Sequence, residues 1–173
     1  MWLTGIEAAG KTTIGGLVAD KLRAMGAEVE VLDGDEIRRA LSPRLGYTEE
    51  DRDEHTRRVA WVAALLARHG VFAVVGAVSP RRAHRGRARA LAPAFAEVWV
   101  KATVETAAKR DPKGLYAKAA RGEVKDLASL HTGYEEPEAP DVVCDTDVED
   151  AEACAARVVD HVVGRGWVKV AVP

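Results

Sequence analysis

The chain has 173 residues, 47% hydrophobic and 30% charged, the balance of a soluble globular protein and not of a disordered one. Its length predicts one domain over residues 1–173. Twenty-five basic residues against 27 acidic ones leave a net charge of −2, which excludes a general nucleic-acid binder.

The predicted elements begin with a short strand, Trp2–Thr4, followed by a Gly-rich loop. Ile14, Leu17, Val18, Leu22 and Met25 recur at helical spacing, and Gly26 supplies a stop. Residues 28–32 (EVEVL) alternate like a strand, and EIRRAL (36–41) reads as a helix with Asp35 as its N-cap. Thr48 and Asp51 mark the start of a helix that runs from about Glu49 to His69 and stops at Gly70. VFAVVGAV (71–78) is a continuous apolar run, as in a strand covered on both faces of a parallel sheet. A basic helix (81–91), a strand (97–102), a short strand (142–144) and a helix (149–164) complete the pattern. The tail 166–173 is apolar enough to pack or to pair as an edge strand. Strands alternating with helices predict an α/β fold with a mostly parallel sheet, whose ligands bind at the carboxyl ends of the strands. No apolar run spans a bilayer and the first residues lack the regions of a signal peptide, so no membrane association and a cytoplasmic location are expected. Cys144 and Cys154 form no metal motif and are expected to stay reduced.

Gly5-Ile6-Glu7-Ala8-Ala9-Gly10-Lys11-Thr12 matches G-x-x-x-x-G-K-[ST] between a strand and a helix, the context that the phosphate loop requires. Successive backbone N–H groups and a helix N-terminus cradle phosphates there. Lys11 reaches the β- and γ-phosphates, and the Thr12 hydroxyl binds Mg²⁺. Glu7 puts a carboxylate beside a polyanion, so it must point away or be paired. Ala8 is strained if its φ is positive. Asp33 and Asp35 end the second strand opposite this loop, placed to take a proton from an attacking hydroxyl or to hold the metal's water shell. Arg38 follows one turn on. Arg52 and His55 share a helix face, and Tyr47 is placed to stack on a base. Five arginines fall within 81–89, while nine acids and no base fall within 135–152. The acidic stretch reads as a solvated face. The basic one reads either as a solvated face or as a site for an anion.

Together these residues resemble the adenylylsulfate kinase family. The matching pieces are the phosphate loop, LDGDEIRRAL (32–41), LGYTEEDRDEHTRR (45–58), VSPRRAHR (78–85), RDPKGLYAKAARGEVK (110–125) and GYEEPEAPD (133–141). The resemblance implies a three-layer P-loop nucleoside-kinase-like fold, usually dimeric, with a helical lid over about 113–133. It implies transfer of the ATP γ-phosphoryl to the 3′-hydroxyl of adenylyl sulfate, with Mg²⁺ as cofactor. ATP is expected on Gly5, Ala8, Ala9, Gly10, Lys11, Thr12, Thr13 and Arg110. Catalysis is expected from Lys11, Asp35 and Asp33, and the metal from Thr12 and Asp33. Asp35, Arg38, Tyr47, Arg52, His55, Ser79, Arg82, Lys113 and Leu127 are expected around the acceptor. The chain departs from the family pattern at Glu7 and Ala8, at His55-Thr56, at Arg81 and His84, and at 127–131. Leu127 replaces a Phe that stacks on the substrate adenine in the family, so Leu127→Phe is expected to tighten adenylyl sulfate binding. Arg38, Arg52, Arg82 and Arg85, with the added Arg81 and histidines, suit a more anionic acceptor. Two alternatives stand beside the first reading: a kinase of this fold with another small anionic hydroxyl acceptor, and a nucleotide-binding module without turnover.

Overall fold

A computed structural model describes residues 1–168. The tail reading falls partly beyond it: Trp167 and Val168 pack on the core, whereas 169–173 lie outside the described residues. Five strands, β1 (Trp2–Thr4), β2 (Val29–Asp33), β3 (Phe72–Gly76), β4 (Glu97–Lys101) and β5 (Val142–Asp145), form one sheet in the order β2-β3-β1-β4-β5. Every pairing is parallel, so each strand ends at the same edge. The register sets Asp33 opposite Gly76 and Leu3 opposite Gly76, which puts the loop after β1 beside the end of β2.

Helices cover both faces. On one side α1 (Lys11–Ala24) and α7 (Ala151–Gly164) pack on Leu3, Val74, Val98 and Val100 through Ile14, Val18, Leu22, Val158 and Val162. On the other, α3 (Glu49–Arg68) and α4 (Arg82–Leu91) pack on Trp2, Leu32, Ala73 and Val75 through Val59, Ala60 and Ala88. Burial on both faces explains why β3 carries no polar alternation.

Three short elements lie where no periodic pattern announced them: α5 (Val104–Arg110), α6 (Leu115–Ala120) and a π-helical turn (Ala128–Thr132). Helix α2 (Gly34–Leu41) starts earlier than expected, and its cap differs. Asp33, not Asp35, is the N-cap, and its carboxylate accepts from the amides of Asp35 and Glu36. The cap must be extended and precede the first helical residue, and Asp33, still at a strand-like ψ of 130°, is the residue that meets this. Thr48 caps α3 by accepting from the amide of Asp51, as the sequence predicts.

Candidate active site

The loop between β1 and α1 closes tightly over the sheet edge. A Cβ on Gly5 would run into the Val100 carbonyl oxygen, so only glycine fits there. Gly10 precedes α1 with φ 109°, a conformation that aims the first amides of the helix at the loop's concavity. Ala8 holds φ 57° without being glycine, a strain of about 1 kcal/mol. The Lys11 ammonium donates to the carbonyls of Gly5 at 2.9 Å and Ile6 at 2.6 Å. Burial pushes it down to about 8, while the Glu7, Asp35 and Asp33 carboxylates pull the other way.

A cavity of about 510 Å³ opens from this loop. Of the residues expected from the sequence, Ala8, Gly10, Lys11, Thr12, Thr13, Asp33, Asp35, Arg38, Tyr47, Arg52, His55, Ser79, Arg110 and Lys113 line it. Thr12 and Asp33 meet in its lining, the hydroxyl donating to Oδ2 at 2.9 Å. Burial alone would raise the Asp33 carboxyl. The donors Thr12, Asp35 and Glu36 outweigh it and hold the group below its ordinary value, as an anion. Asp35 faces the cavity free of capping duty and forms an ion pair with Lys113, from beyond α5. Arg110 is pinned beneath the loop, donating to Thr146 Oγ1 at 2.9 Å and to the Thr146 carbonyl at 2.5 Å.

The far end of the cavity is lined by Arg38 and Arg52, whose guanidiniums stand 4.5 and 5.3 Å from the centre of the Tyr47 ring. Tyr47 stays 48% exposed. Arg38 donates to the Gly46 carbonyl at 2.6 Å, and Arg52 to the carbonyls of Tyr47 at 3.0 Å and Asp126 at 2.5 Å. Ser79, at φ 43°, accepts from the Trp2 indole at 3.1 Å.

Other sequence-based expectations are placed elsewhere. Gly5 and Ala9 belong to the loop but do not line the cavity, and Ala9 is fully buried. Leu127 does not line the cavity: it is buried at 5% exposure in the same core as Ile6 and Tyr116. Arg82 and Arg85 do not face an anion site either. Arg82 donates to Glu138 at 2.6 Å and to the Glu136 carbonyl at 2.8 Å. Arg85, 2% exposed, is satisfied by Glu97 and the carbonyls of Ser79 and Glu135. Arg81 pairs with Glu49. Of the histidines, His55 lines the cavity and His84 and His131 do not. Burial, with Arg38 and Arg58 nearby, pushes His55 down to about 4, and its Nδ1 shares a 3.0 Å hydrogen bond with Ser42. His84 is buried and its protonation is lowered by desolvation. Asp111, Pro112 and Tyr116, from the piece 110–125, also line the cavity, as does Thr56 beside His55, although no role was expected of them.

The adenylylsulphate kinase family model matches residues 1–145. The chain belongs to that family. The "Probable adenylyl-sulfate kinase" of Archaeoglobus fulgidus is 50% identical over 150 residues, covering 87% of this chain and 97% of its own length. The "Probable bifunctional SAT/APS kinase 2" of Sorangium cellulosum is 44% identical over 97% of this chain, which spans 29% of that larger protein. The Mycobacterium tuberculosis APS kinase solved in complex with AMPPNP and APS superposes with a TM-score of 0.90 at 36% identity, over 94% of this chain and 95% of that one. As in other members of the adenylylsulphate kinase family, a P-loop kinase fold carries the site.

Proposed function

We propose that this chain transfers the γ-phosphoryl of ATP to the 3′-hydroxyl of adenylyl sulfate. The observation that carries the reading is one continuous cavity. It joins the phosphate loop at Lys11 and Thr12 to Asp33 and Asp35, and these to Tyr47 with its two arginines.

Phosphoryl transfer asks the protein for position and charge more than for covalent chemistry. The loop amides and Lys11 hold the ATP phosphates, Lys11 exchanging its two loop carbonyls for phosphate oxygens. Asp35 accepts the proton of the attacking hydroxyl once Lys113 leaves it for the incoming anions. Arg38 and Arg52 hold the acceptor's phosphosulfate, and Tyr47 offers a face to its adenine.

The residues fit Mg²⁺. Thr12 and Asp33 are hard oxygen donors in mutual contact, and Mg²⁺ usually takes one or two protein oxygens with phosphates and water supplying the rest. No group of three or more His, Cys, Asp or Glu poised to hold a metal by itself occurs among the described residues, as suits an ion that arrives with its nucleotide. Bound there, Mg²⁺ would neutralise the charge of the β- and γ-phosphates.

A second reading, a different anionic hydroxyl acceptor, draws on Leu127, whose burial leaves Tyr47 as the aromatic face at the acceptor end. A cytoplasmic setting accords with two free, buried cysteines, and a homodimer is the assembly to test by sedimentation. The deciding assay is ADP release from Mg·ATP with and without adenylyl sulfate. Strong stimulation at micromolar adenylyl sulfate is expected. ATP binding without stimulation would transfer the site to the second reading.

A further inference from the structure

A carboxylate in a phosphate-binding loop opposes its ligand, and Glu7 is such a group. Its partners explain its presence. Oε1 accepts from the amide of Ala128 at 2.9 Å and Oε2 from the amide of Ser129 at 3.2 Å, across 121 and 122 residues of chain. Its backbone carbonyl accepts from the Tyr116 hydroxyl at 3.2 Å. Ala128 and Ser129 open the π-helical turn, where the first amides have no partner within the turn. The Leu127 carbonyl accepts from the amides of Leu130, His131 and Thr132 instead. Ala128 is 1% exposed, so an unpaired amide there would be costly. On its other side the same segment is tied to Arg52 through the Asp126 carbonyl.

We propose that Glu7 is a positioning residue whose carboxylate fastens the turn at Ala128–Thr132 to the phosphate loop, so that residues 113–133 sit over the cavity with Lys113 against Asp35. This rests on the kinase reading above. One residue thereby links the two halves of the site: the loop that binds ATP and the segment that reaches the acceptor through Arg52. The position also carries a conflict. The charge that holds the turn repels the phosphates, so removing it should harm turnover without harming ATP binding.

The test compares the full chain with Glu7→Ala and Glu7→Gln. Glutamine keeps one acceptor oxygen and turns an NH₂ donor toward the second amide, so it replaces one of the two bonds. Hydrogen exchange of the peptide spanning 126–132 is expected to rise roughly tenfold to a hundredfold in Glu7→Ala, less in Glu7→Gln, while β3 is unchanged. In ADP-release kinetics kcat is expected to fall about tenfold in Glu7→Ala, with the KM for ATP not raised. Unchanged exchange in both variants would overturn the tie. Raised exchange with unaltered kcat, or a raised KM for ATP with kcat kept, would overturn the positioning role. If the unaltered chain released no ADP with adenylyl sulfate, the kinase reading would fall, and the exchange measurement would still decide the tie.

Discussion

Asp33 and Asp35 stand two residues apart and do different work. Asp33 caps α2 through Oδ1 and accepts from Thr12 at Oδ2, and those donors hold it ionised as a ligand for the metal proposed above. Asp35 keeps its oxygens toward the cavity, with Lys113 as its ionic partner. Asp35→Asn is therefore expected to lower kcat by about a hundredfold or more while ATP affinity stays nearly unchanged. Equal losses, measured by titration and single-turnover kinetics, would make Asp35 a binding residue. Lys11 carries a pH signature. Its folded value of about 8 lies below the ordinary 10.5, so the free protein discharges it as pH rises through 8. Phosphates favour the charged form, so ATP binding at pH 8.5 should take up a proton. Binding enthalpies measured in buffers of different ionisation heat should differ in proportion. No buffer dependence would mean that Lys11 is fully charged before ATP arrives.

At the scale of elements, the basic helix and the acidic stretch answer each other. Arg81 and Arg82 meet Glu135 and Glu138, and Arg89 meets Asp141. Two runs of like charge, the acidic one read along the chain as a solvated face and the basic one as a solvated face or an anion site, are partners across the fold. The turn at 128–132 changes another expectation. Leu127 belongs to the core, so Leu127→Phe is expected to overpack it. The variant should lose about 1–3 kcal/mol of stability with no gain in adenylyl sulfate affinity. A thermal melt and a substrate titration on the same sample separate this from stacking on an adenine.

The whole molecule shows a pH limit through His55. It is buried between α2 and α3, with Ser42 at Nδ1 and a folded value of about 4 against 6.5 unfolded. Below pH 6.5 the unfolded chain takes up a proton that the folded one refuses. Stability is therefore lost as pH falls from 6.5 to 4, by about 3 kcal/mol from this group. His55→Asn should flatten that slope in denaturant titrations at pH 4.5 and 6.5. An unaltered slope would place the loss in other groups.

The phosphate loop, the strand–helix alternation and the α3 cap were legible because their marks are local: the G-x-x-x-x-G-K-[ST] spacing, a hydroxyl ahead of a first turn, an unbroken apolar run. Those marks lie within a few residues, and the string of letters carries them. Short α5 escaped because seven residues hold no apolar stripe to read, and helix at α6 came only from the resemblance, whose lid over about 113–133 contains it. Whether Arg82 and Arg85 serve a ligand or protein acceptors, whether Leu127 faces substrate or core, and what Glu7 holds depend on contacts between residues tens of positions apart. Hydrogen-bond reach is about 3 Å, and only the folded chain brings such groups within it.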